Sequence, residues 1–88
     1  MSFKDKVVIV TGGANGIGKS IAEGYAKEEA MVFIADKDLK SGQVVEEEIT
    51  KNGGRAEFIK TDVTKEADII QLINTVKDKC GIIHILIN

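Results

Sequence analysis

With 88 residues, 43% of them hydrophobic and 30% charged, the chain has the composition of one soluble globular domain and is too apolar for disorder. A net charge of -2 leaves no basic stripe of the kind that neutralises nucleic-acid phosphates, so neither DNA nor RNA is an expected partner. No apolar stretch approaches the roughly 18 residues of a membrane span, and Met1-Ser2-Phe3-Lys4-Asp5-Lys6 lacks the core of a signal peptide, so a cytoplasmic location without a membrane partner is expected.

The first element is the apolar run Val7 to Val10, short and β-branched, the pattern of a parallel strand covered on both faces. Thr11-Gly12-Gly13-Ala14-Asn15-Gly16-Ile17-Gly18 follows and leads into a segment in which Ile17, Ile21, Ala22 and Tyr25 share one helical face. A glycine-rich turn between strand and helix reads as a phosphate cradle. Gly12 permits the tight reversal, Gly16 lets the backbone approach a pyrophosphate, and Gly18 lets helix and strand pack closely. A helix starting near Gly16 would aim its unpaired amides and its positive dipole end at a dianion.

A second buried-type strand, Met31 to Ala35, runs into Asp36, which lies 18 residues beyond Gly18 (36 minus 18). That is close to the distance at which a dinucleotide-binding unit delivers a carboxylate to the adenosine ribose. Such a carboxylate accepts hydrogen bonds from ribose hydroxyls and repels a 2′-phosphate, so the expected cofactor is NAD rather than NADP. Lys37 beside it could tolerate a phosphate if Asp36 turned away. Asp38 can then cap a second helix with Leu39, Val45 and Ile49 on its apolar face, and Asn52-Gly53-Gly54 can end it.

Ala56 to Thr61 is a weaker third strand. In Asp62-Val63-Thr64, Thr64 can cap a third helix, and Asp62 read on its own is equally a turn residue. Ile69, Leu72, Ile73, Val76 and Cys80 then form the strongest helical stripe in the chain. This stripe makes Cys80 a buried structural thiol, and as the single cysteine it has neither a disulfide partner nor a metal cluster around it. Gly81 can close the helix. Ile82 to Ile87 reads as a buried fourth strand, with His84 inside it as a hydrogen-bonded histidine rather than a catalytic one.

The order is β-α-β-α-β-α-β. Right-handed crossovers give an α/β, Rossmann-like doubly wound parallel sheet with strand order 3-2-1-4, the ligand crevice lying where strands one and four diverge. Residues 1–88 are therefore expected to be the N-terminal part of a single dinucleotide-binding domain, apparently truncated, since no fifth strand covers the fourth. That edge is expected to self-associate or aggregate.

Thr11-Gly12-x-x-x-Gly16-Ile17-Gly18, Asp36, Asp62-Val63 and Ile85-Leu86-Ile87-Asn88 together resemble the N-terminal half of the short-chain dehydrogenase/reductase family, along the whole chain. The glycine spacing is that of its dehydrogenase and reductase branch. The resemblance implies that Asn15, Gly16 and Ile17 wrap the ribose and pyrophosphate, that Asp36 and Lys37 line the adenosine ribose, and that Asp62 and Val63 cradle the adenine, Asp62 bonding its amino group. Asn88 matches a family position expected to brace the strand end. Two departures stand out: Glu29-Ala30 replaces the common Gly-Ala before the second strand, and His84 replaces a position commonly acidic. A left-handed helix end at Glu29 would cost on the order of 1 kcal/mol.

The resemblance implies an NAD-dependent oxidoreductase that moves hydride between nicotinamide and a small-molecule alcohol or carbonyl, in a protein expected to be a homo-oligomer. The family's catalytic Ser and Tyr-x-x-x-Lys cannot be matched within these residues. Tyr25 has no lysine four residues on and shares the apolar face of the first helix. The catalytic set is thus expected outside the chain, which alone would be inactive, and the alternative is a noncatalytic dinucleotide-binding module.

Overall fold

The computed structural model describes residues 2–88. Seven elements alternate: β1 (Val7–Thr11), α1 (Gly16–Lys27), β2 (Met31–Asp36), α2 (Leu39–Lys51), β3 (Arg55–Lys60), α3 (Glu66–Cys80) and β4 (Ile85–Ile87). All strand pairs are parallel and the sheet order is β3-β2-β1-β4, with Val7 opposite Met31, Val8 opposite Ile85 and Met31 opposite Arg55. This is the doubly wound order expected from the alternation of strands and helices.

The unbroken apolar runs of β1 and β2 follow from burial on both faces. Val8, Val10, Val32 and Ile34 pack under α1 and α2 with Ala22, Ala26, Val45 and Ile49. Their neighbours in sequence, Val7, Ile9, Phe33 and Ala35, point the other way, against Leu72 and Val76 of α3. Each central strand thus has no polar face to offer, and residues Val8 to Val10 and Val32 to Ala35 are fully buried. The edge strand β3 instead carries Arg55, Glu57 and Lys60. Glu46 of α2 accepts from the Phe58 amide and Lys79 of α3 pairs with Glu57 at 2.6 Å, so both helices help to close this edge to further strands.

The structure moves several expected boundaries. Ile17, Leu39 and Ile69 are exposed, not on buried faces, because each stands in the first turn of its helix, beyond the strand ends where no sheet lies underneath. Cys80, at the far end of α3, is half-buried. The cap of α3 is Lys65, not Thr64, since Thr64 is held in a turn by Asp62. β4 starts at Ile85, not Ile82. His84 lies just before it and exposed, yet fully engaged with β1: its amide donates to the Val7 carbonyl at 2.9 Å and its ring Nδ1 accepts from the Val7 amide at 2.9 Å. The ring therefore does at the start of β1 what a strand carbonyl would do, in the tautomer with its proton on Nε2.

Asp38 caps α2 by accepting from the Ser41 amide at 3.1 Å, and Asn52 and Gly81 close α2 and α3. α1 ends on Glu28, and Glu29 has φ 70, the left-handed residue expected where relatives carry glycine. Among the described residues, only backbone atoms of Glu29 make hydrogen bonds: its carbonyl accepts from Arg55 at 2.9 Å. Glu29→Gly is therefore expected to stabilise the chain by about 0.5–1 kcal/mol, as relief of the left-handed strain outweighs the added freedom of the unfolded chain. A urea midpoint unchanged or lowered would refute this.

Candidate dinucleotide-binding site

Parallel strands put all their C-terminal ends on one edge, and the order β3-β2-β1-β4 places the topological switch between β1 and β4 there. The turn after β1 carries Gly12, Asn15, Gly16, Ile17 and Gly18, the end of β2 carries Asp36 and Lys37, and the segment after β3 carries Asp62 and Val63. All nine residues singled out in the sequence therefore gather on one edge. Thr11, whose part the sequence did not disclose, ties the switch point together: its hydroxyl donates toward the Ile87 carbonyl and Asn88 Oδ1, both at 3.1 Å. Asn88 thus braces the strand end as expected.

The turn is built for close approach. Gly12 has φ 68 and its amide donates to the Ala35 carbonyl at 2.7 Å, which pins the turn to β2. A Cβ at Gly18 would stand 2.1 Å from the Gly12 carbonyl oxygen, so α1 touches the turn at a distance that only glycine allows. Gly16 has φ 50, and a Cβ there would meet nothing within 4 Å, because it faces open space above the turn.

The helix starts differ in how they satisfy their first amides. α2 has Asp38 as a capping acceptor, whereas α3, like α1, makes no side-chain capping bond but carries Glu66 and Asp68 in its first turn, where their charges face the helix dipole. α1 has neither, since Asn15 makes no capping bond with its side chain and no acid follows. The amides of its first turn are left for an external acceptor, with the positive end of the helix dipole behind them. Ile17, 81% exposed, rims the same opening.

Asp36 reaches across to this turn. Its Oδ2 accepts from the Ala14 amide at 3.3 Å and its Oδ1 from the Asp38 amide at 3.0 Å. A recess of about 320 Å³ adjoins, lined by Ala14, Lys19, Lys40, Ser41, Val44 and Val45. Lys19 is already paired with Glu48 at 3.2 Å. After β3, Asp62 Oδ1 accepts from the Thr64 amide at 2.9 Å and from its hydroxyl at 2.6 Å, the turn that its sequence also allowed.

These Thr64 hydrogen bonds hold the Asp62 carboxyl below its ordinary value of 3.8, with Lys65 and Lys37 adding smaller pulls in the same direction. Bonds from Ser41, amide first and hydroxyl second, lower Asp38 likewise. A carboxylate depressed on folding contributes its stability above the unfolded value and loses it as pH falls through the folded one. Both turns are thus expected to persist at pH 5 and to open only below about pH 4. Carboxyl-carbon NMR titration would show midpoints under 3.8 for Asp38 and Asp62, and a midpoint at or above 3.8 would contradict the geometry.

A second cavity, of about 530 Å³, opens at the other end of the sheet. Its charged lining is balanced, Lys4, Lys27 and Arg55 against Asp5, Glu23 and Glu29, with Arg55 bound to Asp5 at 3.0 Å. It lies away from the switch point and its charges select no ligand. Among the described residues, no three His, Cys, Asp or Glu side chains are grouped to hold a metal, and no helix is long and apolar enough to cross a membrane.

Comparison with known proteins agrees with this geometry. The family model for short chain dehydrogenase matches residues 6–88. The chain is 39% identical over 86 residues to 3-hydroxyacyl-CoA dehydrogenase type-2 of Drosophila melanogaster, covering 98% of the chain and 32% of that protein. It is 45% identical over 86 residues to tropinone reductase-like 1 of Erythroxylum coca, covering 98% and 30%. Among solved structures, a 7α-hydroxysteroid dehydrogenase complexed with NADH and 7-oxo glycochenodeoxycholic acid superposes with a TM-score of 0.95 at 33% identity, over 99% of this chain and 34% of that one. The chain thus spans about a third of the length of these relatives.

Proposed function

Because the chain belongs to the short-chain dehydrogenase family, we propose that it holds the adenosine and pyrophosphate end of NAD in an oxidoreductase acting on an alcohol or carbonyl. The observation that carries the reading is the Asp36 carboxylate standing at the end of β2 beside the glycine turn. In this reading the first-turn amides of α1 take the pyrophosphate, Gly16 leaves room for it, Asp36 and Lys37 line the adenosine ribose, and Asp62 and Val63 border the adenine. Nicotinamide, when bound, supplies the hydride chemistry. Residues outside these 88 supply the acid and base, and the chain alone turns nothing over.

The choice of NAD rests on charge. At 4 Å and an effective dielectric constant of about 20, two unit charges repel by roughly 4 kcal/mol, and a 2′-phosphate brings nearly two of them. Lys37 offsets part of this, but its charge is shared with the nearby Asp62 carboxylate, and Lys19 is engaged with Glu48. Support also comes from the NADH bound by the 7α-hydroxysteroid dehydrogenase relative.

Isothermal titration of the protein with NAD and NADP is the test, the expected result being at least a tenfold preference for NAD. Equal or tighter NADP binding would overturn the assignment. Affinity for either is expected to be weak, because the nicotinamide half has no partner in this reading of the chain.

A further inference from the structure

Resting on the dinucleotide reading, we propose that Asp36 is a positioning residue for the phosphate turn as well as an acceptor for the ribose. Its carboxylate joins three pieces of backbone: the end of β2 that carries it, Ala14 in the turn after β1, and Asp38 at the start of α2. The turn is thereby tied to β2 twice, once by the Gly12 amide on the Ala35 carbonyl at 2.7 Å and once by the Ala14 amide on Asp36 Oδ2.

The Gly13 and Ala14 stretch between these ties is seated against the sheet. Ala14 is buried, and a Cβ at Gly13 would stand 3.0 Å from both the Val10 carbonyl oxygen and Ile34 Cγ2. Gly12 before them and the outer flank after them, Asn15 to Ile17, face solvent. The Ala14 bond thus fixes the last seated residue before the amides that would meet a pyrophosphate. Without it, a buried amide loses its acceptor and the flank loses its anchor.

Bracing does not exhaust the carboxylate. Each oxygen offers about two acceptor directions and uses one on a backbone amide, so a second on each is left for a ribose hydroxyl. One side chain thus sets the geometry of the pyrophosphate grip and reads the adenosine ribose. Removing Asp36 to admit NADP would loosen the grip on the phosphates that NAD and NADP share.

The discriminating probe is 2′,3′-dideoxyadenosine 5′-diphosphate, which has the pyrophosphate but no ribose hydroxyl for Asp36 to bind. Titrations of this compound and of ADP would compare the unaltered protein with Asp36→Ala and Asp36→Asn, and hydrogen exchange would report on the Ala14 amide. Asp36→Ala is expected to weaken the dideoxy compound at least fivefold, although removing a negative charge should by itself strengthen diphosphate binding.

Asp36→Asn is equally neutral but keeps a carbonyl acceptor, and it should recover part of the loss and of the Ala14 protection. Equal binding of the dideoxy compound by the two variants, or binding by Asp36→Ala as tight as by the unaltered protein, would overturn the proposal. If the unaltered protein binds neither nucleotide, the dinucleotide reading itself falls. The brace is then decided by Ala14 exchange alone, which must accelerate in Asp36→Ala and less so in Asp36→Asn for it to stand.

Discussion

Gly18→Ala should lower the stability of the chain by about 3 kcal/mol, the upper end of the usual cost of overpacking. The new Cβ would lie 2.1 Å from the Gly12 carbonyl oxygen, 2.8 Å from its carbon and 3.1 Å from Gly13 Cα. All three are backbone atoms, and the turn that owns them is fixed by the bond from Gly12 to Ala35 and by the seat of Gly13 on β1 and β2. Relief therefore requires α1 to move off the sheet, where Ala22 and Ala26 are buried. For a domain whose whole stability is on the order of 5–15 kcal/mol, that is a severe loss. Gly24→Ala is the control on the same helix: a Cβ there meets nothing, and the change should stabilise by about 1 kcal/mol. Urea midpoints that fail to separate the two variants would show that α1 does not approach the turn this closely.

The strand order was legible because it follows from two simple facts. Short β-branched runs without polar alternation must be covered on both faces, as Val8 to Val10 and Val32 to Ala35 are, and right-handed crossovers then permit few arrangements. The glycine turn was legible for a similar reason, since positive φ at Gly12 and Gly16 and the contact at Gly18 each exclude a side chain or strain it. Periodicity failed at helix ends. Ile17, Leu39 and Ile69 have the spacing of buried residues, but the stripe continues in sequence past the point where the sheet stops in space.

Contacts between distant segments were hidden altogether. Nothing local marks Gly42 as the residue that lets the Phe58 ring lie against α2, or His84 as the acceptor for Val7, or Thr11 as the link between β1 and β4. Asp62 shows the limit at the site itself. The resemblance gave it the adenine and the residues alone gave it a turn, and the structure shows the turn with Thr64.

Gly16→Val is expected to separate binding from folding. Its Cβ would meet no protein atom within 4 Å, so the packing of α1 has no steric reason to change. The φ of 50 makes a β-branched residue unfavourable there by about 1–2 kcal/mol, a strain confined to the first turn of the helix. Yet the space the side chain fills is the space in which a pyrophosphate would meet the α1 amides. NAD and ADP affinity should consequently fall about a hundredfold or more, equivalent to at least roughly 2.7 kcal/mol, while the far-ultraviolet circular dichroism stays close to that of the unaltered chain. Gly16→Ala, smaller and unbranched, should lie between the two. A folded Gly16→Val protein that still binds ADP normally would mean that the open space above Gly16 is not where the phosphates sit, and the role assigned to the turn would fall with it.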